Sequence, residues 1–365
     1  MAKYIYQYNN WPNFTWNEKE ILTVLGKVRH LQGKIFGQTS TLGFSLKEEA
    51  MLSVLTVDVL KSSEIEGELL NGQKVRSSIA RKLGIEFAGA VASDRYVDGV
   101  VEMMLDATQN YLTPLDNERL FGWNAALFPT GRSGLYKVDV GCYRSGVMQI
   151  VSGAMGKESV HYEASSPEVV DSEMAGFLKW FNETEDLDLV LKSAIAHFWF
   201  IIIHPFDDGN GRIARAISDL LLARSDESPQ RFYSLSSQIL FEKKEYYAVL
   251  QRSQYKNGDI TEWLTWYLNC MHRALKNTVF LIEETLNKNR FWEKHKNELL
   301  NSRQRLILNK LFDGFDGKLK TSKWAKITKC STDTALRDIQ DLMVKGILIK
   351  EESGGRSTNY KLTDF

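Results

Sequence analysis

The chain of 365 residues is long enough for about two or three domains. Its apolar fraction of 43% allows hydrophobic cores of ordinary size and excludes a disordered chain. Lys plus Arg and Asp plus Glu are balanced at 46 each, which excludes an overall field that would draw the protein to nucleic acid or to an anionic membrane.

The sequence favours a cytoplasmic protein without a membrane partner. Its first residues lack the basic segment and apolar run that are typical of a signal peptide. The longest apolar run, residues 196–206, is interrupted by two histidines and is far too short to cross a bilayer. Cys142, Cys270 and Cys330 are far apart, which argues against disulfides and a zinc site and favours a reducing compartment.

Apolar residues at helical spacing dominate the first part of the chain. A short polar and aromatic stretch opens it and is expected to lie over a helical body. Helices are then predicted at residues 17–37, 45–66, 95–111 and 116–128. Ser45, with Glu48 three residues later, is typical of a capping box at the start of the second of these helices, and Gly67 ends that helix. We predict that residues 1–95 form a helical N-terminal region.

The pattern changes in the middle of the chain. Glycines between Gly131 and Gly153 punctuate two short apolar runs, which favours a β-hairpin over residues 143–151. Helical spacing then returns at residues 167–182, 187–203, 212–224 and 243–287. We therefore predict a mainly α fold in which residues 96–290 form a core with one hairpin.

The last part, residues 302–365, differs again. Three helices are predicted at residues 303–312, 321–327 and 331–344, after a connecting segment rich in Lys, Glu and Asn at 291–302. A hairpin over residues 346–362 follows, with its turn at Ser353, Gly354 and Gly355. Three helices before a hairpin is the order of a winged helix-turn-helix.

The residues with the clearest chemistry form the run HPFDDGNGRIAR at 204–215, which we call the motif. Pro205 prevents the preceding helix from continuing. Gly209 and Gly211 allow the backbone to turn tightly and to approach a ligand. Because the next helix begins near Gly211, its free N–H groups and positive dipole end face the loop. The motif therefore predicts an anion site.

The charged side chains of the motif predict phosphoryl or nucleotidyl transfer. Arg212 and Arg215 are unfavourable for the dipole at a helix start, which indicates that they serve an anionic ligand such as phosphates. Asp208 can hold Mg²⁺ beside those phosphates. His204, whose ordinary pKa is near neutrality, can accept a hydroxyl proton.

The motif resembles the core motif of the Fic family, HPFx[D/E]GNGRxxR, without a departure. The resemblance implies a Fic-type helical core and a protein adenylyltransferase that transfers AMP from ATP to a Ser, Thr or Tyr hydroxyl of a target protein or of itself. It implies that His204 is the general base and Asp208 the Mg²⁺ ligand. The residues implied to bind the phosphates are Gly209, Asn210, Gly211, Arg212 (β-phosphate) and Arg215 (γ-phosphate).

A second resemblance lies upstream. The segment SSEIEG at 62–67 is similar to the family's inhibitory motif, [S/T]xxxE[G/N], with Ser62, Glu66 and Gly67 in register. An acidic residue at a helix C-terminus opposes the dipole, so Glu66 makes more sense if it faces a cation elsewhere. The resemblance implies that Glu66 forms a bidentate ion pair with Arg215 and so keeps it from the γ-phosphate. It places the chain in the class whose inhibitory helix precedes the core.

Two further regions fit the resemblance less specifically. The hairpin at 143–151 lies where family members carry a flap that pairs with the target as an added strand, although an ordinary packed hairpin is the alternative. Tyr246, Tyr247 and Gln254 lie where relatives form the adenine and ribose pocket. Tyr247 is the candidate among them, since Gln254 replaces a common Asn. A tyrosine pair on an amphipathic helix is also typical of a core.

A different class of function stays open for the C-terminal part. Residues 303–365 hold 13 Lys or Arg against 8 Asp or Glu, which fits DNA binding. The protein would then be a transcriptional regulator with the Fic domain as a nucleotide sensor. Against this, the predicted recognition helix carries Asp333, Asp338 and Asp341, which would repel phosphates, and only Arg337 before its end. Such modules also serve dimerisation, and we expect a homo-oligomer.

The choice of donor and the direction of the reaction also stay open. Fic relatives can use other nucleotides or phosphocholine donors, and some remove AMP again with the inhibitory Glu. The motif does not separate these outcomes, because the residues that select the donor lie outside it.

Overall fold

The computed structural model describes residues 3–40, 43–86, 89–152, 159–312, 315, 317–351 and 358–363. The secondary structure of these residues is mainly helical, which confirms the predicted fold class. The chain divides into two compact units, Met1–Val279 and Phe280–Phe365. No helix in the described ranges is long and apolar enough to span a membrane. The finer boundary near residue 95 stays a prediction.

The chain opens with a stretch that we call the N-terminal strap, residues 3–16. Its Ile5 N–H donates to the carbonyl of Gln254 at 2.7 Å. Tyr4 stacks on Tyr255 with ring centroids 5.6 Å apart, and the Tyr6 hydroxyl donates to the carbonyl of Glu163 at 3.0 Å. The strap therefore lies over the helical body, as expected, and ties two distant segments together.

Three helices follow the strap: α1 (Glu18–Ser40), α2 (Phe44–Ile65) and α3 (Gly72–Leu83). The predicted capping box at Ser45 is wrong, because Gly43 is the N-cap of α2 and Ser45 lies inside its first turn. The apolar pattern does not predict α3, because its apolar face is short and its sequence is mostly polar. Asn71 caps this helix by accepting a backbone N–H through its side chain.

Two helices and four short strands come next. The side chains of Asp94 and Asp116 cap the helices, which are α4 (Arg95–Gln109) and α5 (Asn117–Leu127). The strands form two antiparallel pairs: β1 (Arg132–Ser133) with β2 (Tyr136–Lys137), and β3 (Gln149–Ser152) with β4 (Ser159–Glu163). Gly153, expected to punctuate this region, lies outside the described residues.

The hairpin predicted over residues 143–151 is wrong in its position. β3 begins only at Gln149, and its partner β4 lies beyond the predicted range. Residues 143–148, the first part of the predicted hairpin, form no strand because their backbone makes other contacts. For example, the Arg144 N–H donates to the carbonyl of Pro205 at 2.8 Å. The glycine pattern therefore marks an ordered loop as well as a hairpin.

The centre of the first unit is a packed pair of helices, α7 (Leu189–Ile203) and α8 (Asn210–Asp226), which a short loop joins. Before them lies α6 (Val170–Glu183). One cluster of buried side chains runs from α2 to α8 and includes Leu55, Val100, Phe200 and Ile217. The helix before Glu66 and the helix with the motif arginines therefore share one hydrophobic core.

The long helical pattern at residues 243–287 is interrupted in the structure. Helices α9 (Leu235–Phe241), α10 (Lys243–Ser253) and α11 (Thr261–Lys294) complete this series. Gly258, with φ of 77°, lies in the break between α10 and α11, where the backbone takes a left-handed conformation that favours glycine. This turn also contacts the strap, since the Thr15 N–H donates to the Gly258 carbonyl.

In its described residues, the second unit contains the end of α11 and then three helices and a strand pair: α12 (Ser302–Phe312), α13 (Thr321–Thr328), α14 (Thr332–Val344), β5 (Leu348–Lys350) and β6 (Tyr360–Leu362). They pack around fully buried Trp324 and Ile339. The order of elements is the predicted one, and the assignment to a winged helix-turn-helix stays a prediction. The turn predicted at Ser353, Gly354 and Gly355 lies outside the described residues.

Candidate active site

The loop between α7 and α8, residues 204–209, which we call the motif loop, is held by contacts within the motif and by side chains outside it. Asn210 closes it, because its side chain accepts from the Phe206 N–H at 3.0 Å and donates to the Phe206 carbonyl at 2.7 Å. Asn210 is 2% exposed. Its predicted contact with phosphate can therefore come from its main chain, whereas the side chain maintains the loop.

His204 lies where α7 ends, in a left-handed conformation with φ of 51°. Its Nδ1 lies 3.2 Å from the carbonyl of Ile201. Because a carbonyl only accepts, we assign the proton to Nδ1, which leaves the lone pair on Nε2. Burial lowers the pKa of His204 to about 4, and the nearby Arg144 guanidinium acts in the same direction. The imidazole is therefore a neutral base at pH 7.

Arg144, which the sequence analysis did not single out, fixes the backbone at His204. It is 3% exposed, and its Nε donates to the His204 carbonyl at 2.8 Å. Its other guanidinium nitrogens donate to the carbonyls of Gly146 at 3.0 Å and Ser165 at 2.6 Å. Its position in a glycine-rich stretch was its only signal in the sequence.

Asp208 offers one carboxylate for a metal. Its Oδ1 accepts from the Gly209 N–H at 2.5 Å, and its Oδ2 accepts from the Ser133 hydroxyl of β1. The described residues contain no group of three or more His, Cys, Asp or Glu that could hold a metal ion. A lone carboxylate fits Mg²⁺, which usually keeps several waters and binds phosphate oxygens in nucleotide sites. The residues present therefore fit Mg²⁺ that arrives with a nucleotide.

The carboxylate of Glu66 lies against the first turn of α8. A Cβ built on Gly211 would be 2.2 Å from Glu66 Oε1, so a residue other than glycine would displace that carboxylate. The N-terminus of a helix is where free N–H groups and the dipole bind anions. Glu66 thus places a negative charge beside the helix N-terminus where the motif predicts an anion site.

Arg215 is held by two residues at the end of α2. Its Nη2 donates to Glu66 Oε1 at 2.7 Å and to the Ser62 carbonyl at 2.8 Å, and its Nε donates to the Ser62 hydroxyl at 2.8 Å. The predicted bidentate pair is wrong, because one oxygen of Glu66 accepts from Nη2 of Arg215, whereas Ser62 accepts from Nε and also from Nη2. The Ser62 carbonyl is available since α2 ends there. Nη1 of Arg215 is buried and has no hydrogen-bond partner among the described residues.

Arg212 is engaged by two residues that the sequence analysis did not single out. Its Nη1 donates to Glu68 Oε2 at 2.7 Å and to the Tyr96 hydroxyl at 2.8 Å. The guanidinium also lies over the ring of Phe128 at 5.1 Å. Neither residue stands out in the sequence, because Glu68 lies beyond the inhibitory motif and Tyr96 opens a separate helix.

The predicted nucleotide-pocket residues lie in different surroundings. Tyr246 is buried, and its hydroxyl lies 2.9 Å from Nε2 of His197. Gln254 is buried beneath the strap. Tyr247 is 43% exposed, and burial of the rest of its ring raises its pKa to about 12, with the charge of Glu66 adding to the rise. Tyr247 is therefore the one that faces solvent near the site, and its contact with a nucleotide stays a prediction.

Two family models match the chain. Residues 114–222, which contain the motif, match the Fic/DOC family. Residues 4–85, which contain Glu66 and Glu68, match a domain of unknown function, DUF4172.

Curated relatives are similar over part of their length. A protein adenylyltransferase fic-1 of Caenorhabditis briggsae is 39% identical over 66 residues, which are 18% of this chain and 13% of the relative. A protein adenylyltransferase Fic of Culex quinquefasciatus is 25% identical over 272 residues, which are 68% of this chain and 48% of the relative. The chain thus spans less than half the length of these relatives.

Solved structures support the fold. A Fic family protein from Desulfovibrio desulfuricans G20 has a TM-score of 0.53 at 20% identity, over 96% of this chain and 98% of that one. Residues 134–508 of Fic-1 from Caenorhabditis elegans have a TM-score of 0.51 at 20% identity, over 73% of both chains. The chain therefore has the fold of Fic proteins, and its motif lies in a segment that matches the Fic/DOC family.

Proposed function

We propose that the protein is a Mg²⁺- and ATP-dependent protein adenylyltransferase that Glu66 holds in an inhibited state. The observation that carries this proposal is the position of the Glu66 carboxylate, at the N-terminus of α8 and on Arg215. The Glu66 carboxylate therefore lies near the position where the motif predicts a phosphate. The names of the similar proteins, which are adenylyltransferases, support the same reaction.

In the proposed reaction, His204 acts as the general base. Its Nε2 takes the proton of a Ser, Thr or Tyr hydroxyl on the target protein while that oxygen attacks the α-phosphorus of ATP. The bond from this phosphorus to the bridging oxygen breaks, and pyrophosphate leaves with the bond's electron pair. The contact between Nδ1 and the Ile201 carbonyl keeps Nε2 free to accept.

The rest of the motif would bind the triphosphate. Mg²⁺ bound with it would neutralise charge on the phosphates, and Asp208 is the carboxylate placed to hold it. Arg212 and Arg215, three residues apart on the first turns of α8, would contact neighbouring phosphates. The first turn of α8 would supply backbone N–H groups.

Glu66 would compete with the γ-phosphate for Arg215. Arg215 is 2% exposed, and the side chain of Glu66 is 29% exposed. A hydrogen bond between charged groups contributes about 1.5–3 kcal/mol, which corresponds to roughly a 10- to 150-fold change in an equilibrium. A contact of this strength can lower activity strongly and still be displaced by a ligand with several charges.

A transfer assay with ATP labelled at the α-phosphate tests the proposal. Wild type, Glu66→Gly and Glu66→Gly/His204→Ala are incubated with Mg²⁺ and a cell lysate as the source of targets. We expect strong labelling of protein by Glu66→Gly, weak labelling by wild type, and none by the double variant. Equal labelling by wild type and Glu66→Gly would remove the inhibitory role. Absence of label from every variant would remove the reaction itself.

Duplex DNA binding by the second unit is the second candidate function, and one observation favours it. Asp338 accepts from Arg303 at 2.7 Å and from Asn301 at 2.8 Å, and Asp341 pairs with Lys345 at 2.5 Å. Two of the three carboxylates on α14 that argued against DNA are therefore neutralised within the unit.

Mobility shift with a mixed-sequence duplex tests this second candidate in the full chain. The His204→Ala variant is used, so that transfer cannot contribute. Binding that weakens steeply as salt rises, and weakens further in Arg337→Ala, would support DNA binding. No shift at low salt would exclude it.

A further inference from the structure

The segment that follows α2 brings two carboxylates to α8. After Glu66, the chain turns at Gly67, which has φ of 85°, and the Glu68 N–H returns to the Ser63 carbonyl at 3.0 Å. Glu66 reaches Arg215 and Glu68 reaches Arg212, each at 2.7 Å. One three-residue turn therefore occupies both arginines that the motif predicts for phosphates.

Arg212 has two carboxylate partners, Glu68 at 2.7 Å and Asp208 at 3.7 Å. The arginine side chain is 1% exposed, whereas that of Glu68 is 33% exposed. A buried guanidinium is costly unless an anion pairs with it. Asp208 balances part of this charge as an ion pair, but at 3.7 Å it lies beyond hydrogen-bond distance, so Glu68 is the carboxylate that hydrogen-bonds to Arg212. An incoming anion could displace Glu68 while the helices keep their packing, because the Glu68 side chain is partly exposed.

Tyr96 completes the site on Arg212. Its hydroxyl accepts from Nη1 of Arg212 and donates its own proton to Glu68 Oε2. Burial raises the pKa of Tyr96 well above its ordinary value, so this phenol stays a neutral donor at physiological pH. If Glu68 leaves, the Tyr96 hydroxyl and the Arg212 guanidinium still converge on the place that its carboxylate oxygen held.

We infer that Glu68 is a second inhibitory carboxylate, which must leave Arg212 before a nucleoside triphosphate binds, and that Tyr96 then donates to the phosphate that replaces it. This inference rests on the proposed function. A purely structural Glu68 that keeps Arg212 in place predicts the opposite sign, because its loss would then weaken ATP binding. Glu68 resembles Glu66 in being a partly exposed carboxylate on a buried arginine, which favours competition.

The test compares KM for ATP and kcat in the Glu66→Gly background of the full chain. We expect Glu68→Gln to lower KM about 10-fold with kcat little changed. The reason is that the substitution removes the negative charge from the hydrogen bond between residue 68 and Arg212. Adding Tyr96→Phe to Glu66→Gly/Glu68→Gln should raise KM several-fold again. Glu64→Gln is the matched control, because Glu64 is on the same helix end and pairs with Lys61 rather than with α8. An unchanged or higher KM in Glu68→Gln would overturn the inhibitory role, and an unchanged KM after Tyr96→Phe would overturn that of Tyr96.

Calorimetric binding of ATP with Mg²⁺, in the His204→Ala background, separates this inference from the proposed reaction. Transfer is measured separately, in variants that keep His204. Tighter ATP binding after Glu68→Gln, without transfer by Glu66→Gly or by Glu66→Gly/Glu68→Gln, would leave the inference standing and show that the proposed reaction is wrong. Transfer by Glu66→Gly with equal binding before and after Glu68→Gln would leave the reaction standing and the inference wrong. No ATP binding by Glu66→Gly or by Glu66→Gly/Glu68→Gln would remove both.

Discussion

The motif loop and the turn at residues 66–68 meet at the same helix, yet different contacts hold them. The motif loop is fixed by hydrogen bonds of buried side chains, between Asn210 and the backbone of Phe206 and from Arg144 to the carbonyl of His204. The turn reaches α8 through two partly exposed carboxylates. The comparison teaches that the loop can persist without the turn, whereas the turn's hold depends on charge and on competition with anions.

The largest effect is expected from His204→Ala in the Glu66→Gly background. Loss of a general base typically costs about 10²- to 10⁴-fold, so transfer of label should fall by that factor. ATP affinity measured by calorimetry should stay within about twofold, since His204 contacts no phosphate in the proposed mechanism. A variant that keeps a tenth of the activity would show that another group is the base.

Asn210→Ala removes the side chain that holds the loop at Phe206. Two buried backbone groups of Phe206 lose their partners, and each such group costs about 1–3 kcal/mol. We expect both a lower free energy of unfolding, measured with urea, and a loss of transfer of at least about tenfold in the Glu66→Gly background. Retained stability and activity would mean that the loop is held by other contacts.

Glu66→Gln removes the negative charge that holds the turn on Arg215 and keeps the size of the side chain. Removing the charge weakens the contact with Arg215 and should raise transfer about tenfold over wild type. The free energy of unfolding should fall less than in Asn210→Ala, because Gln keeps an oxygen that can accept from the buried Arg215 and only the charge is lost. The contrast with Asn210→Ala is the direct test, and a large loss of stability in Glu66→Gln would show that the turn is structural.

The smallest effect concerns pH. Because burial lowers the pKa of His204 to about 4, the neutral base predominates above that pH and is lost as the pH falls through it. We expect kcat/KM of Glu66→Gly to be level between about pH 6 and 8 and to fall by half only near pH 4. Thermal unfolding at each pH is the control. A midpoint near 6.5 would show that the imidazole is not desolvated in the free enzyme.

The candidate site could be predicted from the sequence where its residues are consecutive. His204, Asp208 and the two arginines fall within twelve residues, so their spacing alone places them on one loop and one helix turn. The mainly α fold was predictable for a similar reason, because the apolar residues of α4 and α7 repeat at helical spacing over many turns.

The residues that could not be predicted come to the site through tertiary packing. Arg144 lies 60 residues before His204, and Tyr96 lies 116 residues before Arg212. Neither shows a local pattern that separates it from an ordinary surface residue. The bidentate pair failed for another reason, because only the coordinates show that the Ser62 carbonyl and hydroxyl take two donors of Arg215.

The hydrophobic core that α2 shares with α8 has a consequence for how such a protein can change in evolution. Leu52 and Leu55 of α2 belong to the same buried cluster as Ile213 and Ile217 of α8, although the two helices lie in segments that match different family models. Dense interiors tolerate little change of volume, so a substitution on one helix requires compensation on the other. The two segments should therefore be inherited together, and exchanging one between relatives should fail even when both motifs are intact.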